Sequence, residues 1–365
     1  ASLGDTAGAR QALAQLRRQQ RDSTSQIDFE PAWLLASLTA DTGALQRLLR
    51  RDSIAPAWRT ARPAAHGWAI LRFGLNLGLD VRDAGAVLDR SLAAAATLGQ
   101  RADIRWNQVV LDGIRGRSDR GAASGYSWGP SALSVLSQSS DFARPILNFL
   151  FTDLDSTGWA RGGAELLRRL GSQRTDQCCI QRFGAGEYAL TQNRLDLAER
   201  AAADLRRYHG PSPDGDADSA LGTETSHEFA VILEAQIAAQ RHDRFAAERL
   251  RQLDSMLTDP VEDMVPLVGN LVAARLHEER GELAAALAAV RRRWWGQWVD
   301  PGYVVYHREE GRLAALAGDT AGAIRAYRRY LTLRGDAEPP LQPRVRQVRT
   351  ALAALERASA GRGPR

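Results

Sequence analysis

The sequence predicts an all-α fold built of repeated antiparallel helix pairs, and three observations carry that expectation. Ala, Leu and Arg dominate the 365 residues while β-branched residues are sparse, a composition of good helix formers. The phrase Gly-Asp-Thr-Ala-Gly-Ala stands at residues 4–9 and again at 318–323, which marks internal repetition. Between such turns, apolar residues recur every three to four positions, the spacing of a helix with one buried face.

The clearest unit is 303–334. Asp300 and Pro301 offer an N-cap and a first-turn proline for one helix. That helix runs to Gly318-Asp319, where the chain turns. A second helix then carries Ala323, Ile324, Tyr327, Tyr330 and Leu331 along one side. Earlier stretches repeat the plan: 267–293 turning at Gly281, 228–257 turning near Arg241–Asp243, and 182–205 turning at Asn193. Turns at 193, 241, 281 and 318 are separated by 48, 40 and 37 residues.

This pattern resembles the tetratricopeptide repeat. That family places a small residue inside its first helix, Gly or Asn at the turn, and a small then an aromatic residue on its second helix. Gly311, Ala314, Gly318, Ala323 and Tyr327 fall on those positions, while Tyr330 stands where the family has alanine. The spacings exceed the family period of about 34 residues, so the array is divergent. The resemblance covers residues 180–335 and 1–50. It implies a right-handed superhelical solenoid of antiparallel helix pairs, with a long irregular insertion near 113–130.

Four regions follow. Residues 1–110 read as helical repeats and 111–175 as an irregular helical region holding the Gly/Ser-rich loop. Residues 176–357 read as tetratricopeptide-like repeats and 358–365 as a tail. Within the irregular part, 64–78, 85–98 and 160–171 read as helices. Residues 4–18 resemble a second helix whose first helix is missing, which points to a chain cut from a longer protein. The C-terminal stretch, about 60 residues long, is similar to the repeat regions of large bacterial signalling proteins, kinase- or activator-linked, from GC-rich bacteria.

Composition excludes several chemistries. There is no lysine, so all 48 basic residues are arginine. No P-loop lysine, kinase β3 lysine or Schiff-base lysine can therefore act here. The formal charge of +5 makes acidic partners plausible, yet the arginines alternate with Asp and Glu, so nucleic acid is not expected. Cys178 and Cys179 are the only cysteines and indicate no disulfide framework. No apolar run is long enough to span a membrane. Placement is cytoplasmic by default, and extracytoplasmic if a signal or anchor lies upstream.

Four motifs are weighed for chemistry. Gly125-Tyr126-Ser127-Trp128-Gly129 matches a nucleophile elbow, which would make Ser127 a hydrolase serine. The required strand does not precede it, so a loop is the simpler reading. Residues 214–225 imitate a calcium loop, with Asp214, Asp216, Asp218 and Glu224 as ligands. Ser219 replaces the sharp-turn glycine and Glu224 comes one place early, so a solvated acidic connector competes with a cation site. Cys178, Cys179 and His209 could meet only through the fold, and a buried cysteine pair is the simpler reading. Arg291-Arg292-Arg293-Trp294-Trp295 with Trp298 mixes cations and rings as single-strand binders do, but equally suits a helix end at a repeat joint.

No cofactor is implied. In the resembling family the concave wall of first helices grips peptides or partner domains. Carried over residue by residue, that wall here comprises Arg275, Glu278, Glu279, Arg308 and Arg312. Its three guanidiniums suit carboxylates or phosphorylated segments. The leading expectation is a non-catalytic interaction or scaffold module that binds a protein or peptide, an acidic one included, and self-associates through its repeat ends. A structural subunit of a homo-oligomeric or filamentous assembly is the alternative, and a serine hydrolase using Ser127 the second.

Overall fold

The structure is a computed structural model that describes residue 75 and residues 81–117, 163–168, 170, 179–207, 223–258, 264–292 and 303–361. Every regular element among these residues is helical. The chain divides into two compact units, 1–120 and 121–365.

In the first unit, α1 (Val81–Ala94) and α2 (Leu98–Arg115) form one pair. The expected single helix over 85–98 is instead two helices. The chain breaks at 95–97 because Thr97 is extended and caps α2. Its hydroxyl accepts from the Gln100 amide at 3.1 Å, while the Gln100 side chain accepts from the Thr97 amide at 3.3 Å. That reciprocal box satisfies two donors that a helix start leaves open. α2 continues to residue 115, past the expected start of the insertion at 113. It stops where Gly116 turns left-handed at φ 72°, a conformation that costs glycine nothing.

In the second unit a helical segment at 163–168 precedes nine helices and a 3₁₀ turn. These are α3 (Cys179–Thr191), α4 (Leu195–Arg206), α5 (Thr223–Gln240), α6 (Ala246–Met256), α7 (Met264–Glu279), α8 (Leu283–Arg291), α9 (Tyr303–Leu316), α10 (Thr320–Arg334), the 3₁₀ turn Pro339–Leu341 and α11 (Gln342–Ala360). Neighbours in sequence pack together: α3 on α4, α5 on α6, α7 on α8, α9 on α10.

One turn closes all four pairs. Asn193, His242, Gly281 and Gly318 each have positive φ, at 56°, 52°, 77° and 80°. In each case the following amide donates back across the turn to a carbonyl of the last helical turn. These bonds are Arg194 to Ala189, Asp243 to Ala238, Glu282 to His277 and Asp319 to Ala314, at 2.8–2.9 Å. They satisfy carbonyls that the helix end would otherwise leave open. The second turn centres on His242, one residue beyond the 241 expected from sequence.

Registering the pairs on this residue reveals two small positions. Seven places earlier stand Gly186, Ala235, Ala274 and Gly311, all buried; five places later stand Ala198, Ala247, Ala286 and Ala323. Small residues let the paired helices approach closely. A Cβ on Gly311 would lie 2.4 Å from the Tyr327 ring, and one on Gly186 would meet Leu233 at 2.4 Å. The apolar core is continuous from Leu166 to Ala323 and passes through every pair. Phe183 of α3 stacks on Phe229 of α5 with ring centroids 4.6 Å apart. Tyr306 of α9 donates its hydroxyl to carbonyls at the start of α7, 2.6 Å from Leu267 O and 3.0 Å from Pro266 O. Successive pairs are thus tied by packing and by polar bridges.

Candidate functional site

The first helices α3, α5, α7 and α9 carry equivalent side chains six places before each left-handed residue: Glu187, Gln236, Arg275 and Arg312. The first three are linked. Arg275 donates to Gln236 Oε1, and Gln236 Nε2 donates to Glu187 Oε1. Burial raises the Glu187 carboxyl above its ordinary range, against the opposing pull of Arg275 and Gln236. Arg275 also faces Glu279 one helical turn on, at 3.8 Å.

The fourth side chain closes a second cluster. Arg312 grips Glu278 of α7 with both terminal nitrogens at 2.6 Å, and its Nε donates to Glu309 at 2.8 Å. Arg308 donates to the same Glu309 at 2.9 Å. The Arg312 fork holds Glu278 below the usual carboxylate range. The same bonds push the Arg312 guanidinium up. Tyr327, buried beneath this cluster, has its phenol raised by burial and by Glu309.

The structure therefore brings Arg275, Glu278, Glu279, Arg308 and Arg312 onto one set of first helices, as the carried-over wall requires. It also pairs each of the three guanidiniums with a carboxylate of the wall itself. An acidic ligand would have to displace Glu278 and Glu309 from Arg312, trading one bidentate pair for another. Sequence reasoning missed Glu187, Gln236 and Glu309. The first two were findable by aligning the units on the left-handed turn residue instead of on an average period.

A third polar cluster lies at the joint of α6, α7 and α8. His277 Nε2 is 2.7 Å from Asp254 and Nδ1 is 2.7 Å from Glu282, the residue before α8. Arg292 reaches the other Asp254 oxygen at 2.6 Å, and its carbonyl accepts from Asn270 at 3.0 Å. The hydrogen bond from His277, then that from Arg280, holds Glu282 below its ordinary range. The two carboxylates sit at opposite nitrogens of the ring, so this is a clamp between three helices. Among the described residues no group of His, Cys, Asp and Glu could hold a metal ion.

Other sequence candidates fall elsewhere. Cys179 is buried in α3. Glu224 lies in the first turn of α5. Ser127, Cys178, His209, Asp214, Asp216, Asp218, Arg293, Trp294, Trp295 and Trp298 lie outside the described residues. No described helix is long and apolar enough to cross a membrane. No family model, curated protein or solved structure matches the chain.

Proposed function

We propose that the helix pairs of residues 179–361 form a tetratricopeptide-like solenoid serving as a non-catalytic interaction or scaffold module. Its partner is a protein or peptide seated on the wall of first helices. The observation that supports this reading most is the shared register: four pairs with one turn geometry, two small-residue positions and one polar first-helix position six places before the turn. A stack of such pairs buries its core between neighbours and leaves first helices side by side as a continuous surface. Arg275, Glu278, Glu279 and Arg312 give that surface donors and acceptors, with Arg275 held from behind by the buried Gln236 and Glu187. Preorganised groups lose less entropy when a partner is bound.

The test is affinity capture with the full chain and with an Arg275→Ala/Arg308→Ala/Arg312→Ala variant, after circular dichroism shows unchanged helix content. Partners retained at wild-type level by the variant would end the assignment of this wall.

A further inference from the structure

α10 and α11 carry a surplus of positive charge. Residues 320–361, which hold α10 and α11, carry eight arginines against three acidic residues. That surplus of five equals the net charge of the whole chain. Two of the eight are held inward: Arg334 is buried and Arg329 half-buried. The other six, Arg325, Arg328, Arg344, Arg346, Arg349 and Arg357, are exposed.

Their partners differ from those on the wall. Arg328 pairs with Glu356 across the α10–α11 junction at 2.7 Å. Arg349, beside it, donates to the Gly335 carbonyl at the end of α10 at 3.2 Å. Arg357 donates to the carbonyl of Ala353 in its own helix, and Arg344 to Gln347. Among the described residues, Arg344, Arg346, Arg349 and Arg357 meet no carboxylate.

Helix geometry gathers three of them. α11 buries Val345 and Val348 and half-buries Leu352 and Leu355. At 100° per residue, Arg346 and Arg357 then point away from the buried side and Arg349 lies on the flank toward α10, all three within about a quarter turn of one another. Along the axis they span about 16 Å. Arg349 continues this surface toward the end of α10.

We propose that this outer face of α10 and α11 is a second docking surface, and that its partner is an acidic segment of another protein. Arginine forks recognise carboxylates bidentately. Those on the first-helix wall are already engaged by Glu278, Glu279 and Glu309, whereas Arg346, Arg349 and Arg357 meet no carboxylate among the described residues. The described face offers no exposed aromatic ring for base stacking, since Tyr327 and Tyr330 are buried; single-strand readers need such rings. The proposal stands apart from the wall reading, because the two surfaces can be altered separately.

The test measures binding of labelled oligoglutamate to the full chain by fluorescence anisotropy. Three proteins are compared: wild type, Arg346→Glu/Arg349→Glu/Arg357→Glu, and the wall variant Arg275→Ala/Arg308→Ala/Arg312→Ala. Wild type should bind more weakly as salt is added. The α11 reversal should weaken binding roughly tenfold or more, whereas a loss confined to the wall variant would seat the acidic probe on the first-helix wall and overturn the proposal. Should the reversal disturb helix content, the Arg→Gln set at the same exposed positions replaces it. Equal binding by wild type and the α11 variant would overturn the proposal. So would tighter binding of duplex DNA than of oligoglutamate, lost in the same variant, since the partner would then be nucleic acid.

Discussion

Replacing Gly311 by alanine tests whether close approach of paired helices sets the fold. Gly311 lies inside α9, where alanine alone is favoured over glycine by about 1 kcal/mol. The added Cβ would stand 2.4, 2.5 and 2.9 Å from three Tyr327 ring carbons, against an ordinary carbon contact of about 3.5–4.0 Å. The ring is rigid and 6% exposed, so either it or α10 must move by about an ångström. Overpacking of this severity costs about 3 kcal/mol, the upper end of its usual range. Offset by helix propensity, the net loss is about 2 kcal/mol, or about 4–8 °C in melting temperature for a unit of this size. The same substitution in a Tyr327→Leu background removes the obstacle. There Gly311→Ala should be neutral or stabilising, so the cycle gives a coupling of about 3 kcal/mol. Thermal unfolding followed by circular dichroism reads all four proteins. A Gly311→Ala variant as stable as wild type, or a coupling under about 0.5 kcal/mol, refutes the close-approach argument.

Gly281→Ala and Gly318→Ala should each cost about 1–2 kcal/mol by backbone strain alone. Both glycines have φ near 80° with open space around them, so truncating neighbours should not rescue either variant. His242→Gly should stabilise by about 1 kcal/mol, because its exposed ring is carried at φ 52° where a Cβ is penalised; urea unfolding measures it. Glu278, Glu282 and Asp319 are all held below the ordinary carboxylate range by arginine or histidine hydrogen bonds. Their stabilisation is complete above the unfolded value near pH 4 and is lost as pH falls through their lower folded values. Melting temperature should therefore fall steeply below about pH 4, less so in Glu278→Gln. Glu187 runs the other way, since burial raises it. Glu187→Gln should raise the melting temperature at neutral pH, and that advantage should shrink on acidification.

Much of the fold was legible because the signals are local. A left-handed residue flanked by two helical faces can be read from Gly281 and Gly318 directly, and from Asn193 because asparagine tolerates that conformation. His242 offers no such signal, and the turn was accordingly placed one residue early. The break at 95–97 was missed for a different reason. Alanine at 93–96 reads as strong helix, and only the Thr97–Gln100 box ends it. Spacing cannot show which of two good helix formers a cap will separate.

The helix placement of the arginines was legible in the sequence, and their pairing was not. Position within the unit places Arg275, Arg308 and Arg312 on first helices, since that follows from period and turn. Whether they remain available depends on residues 34 to 39 places away in sequence: Glu278 for Arg312 and Gln236 for Arg275. Such pairings arise from the stacking of one pair on the next, which no single helix encodes. On α11 the pattern differs: Arg346, Arg349 and Arg357 are exposed and meet no carboxylate among the described residues. Two kinds of arginine are thus distinguished: Arg275 and Arg312, which tie one helix pair to the next, and Arg346, Arg349 and Arg357, which do not.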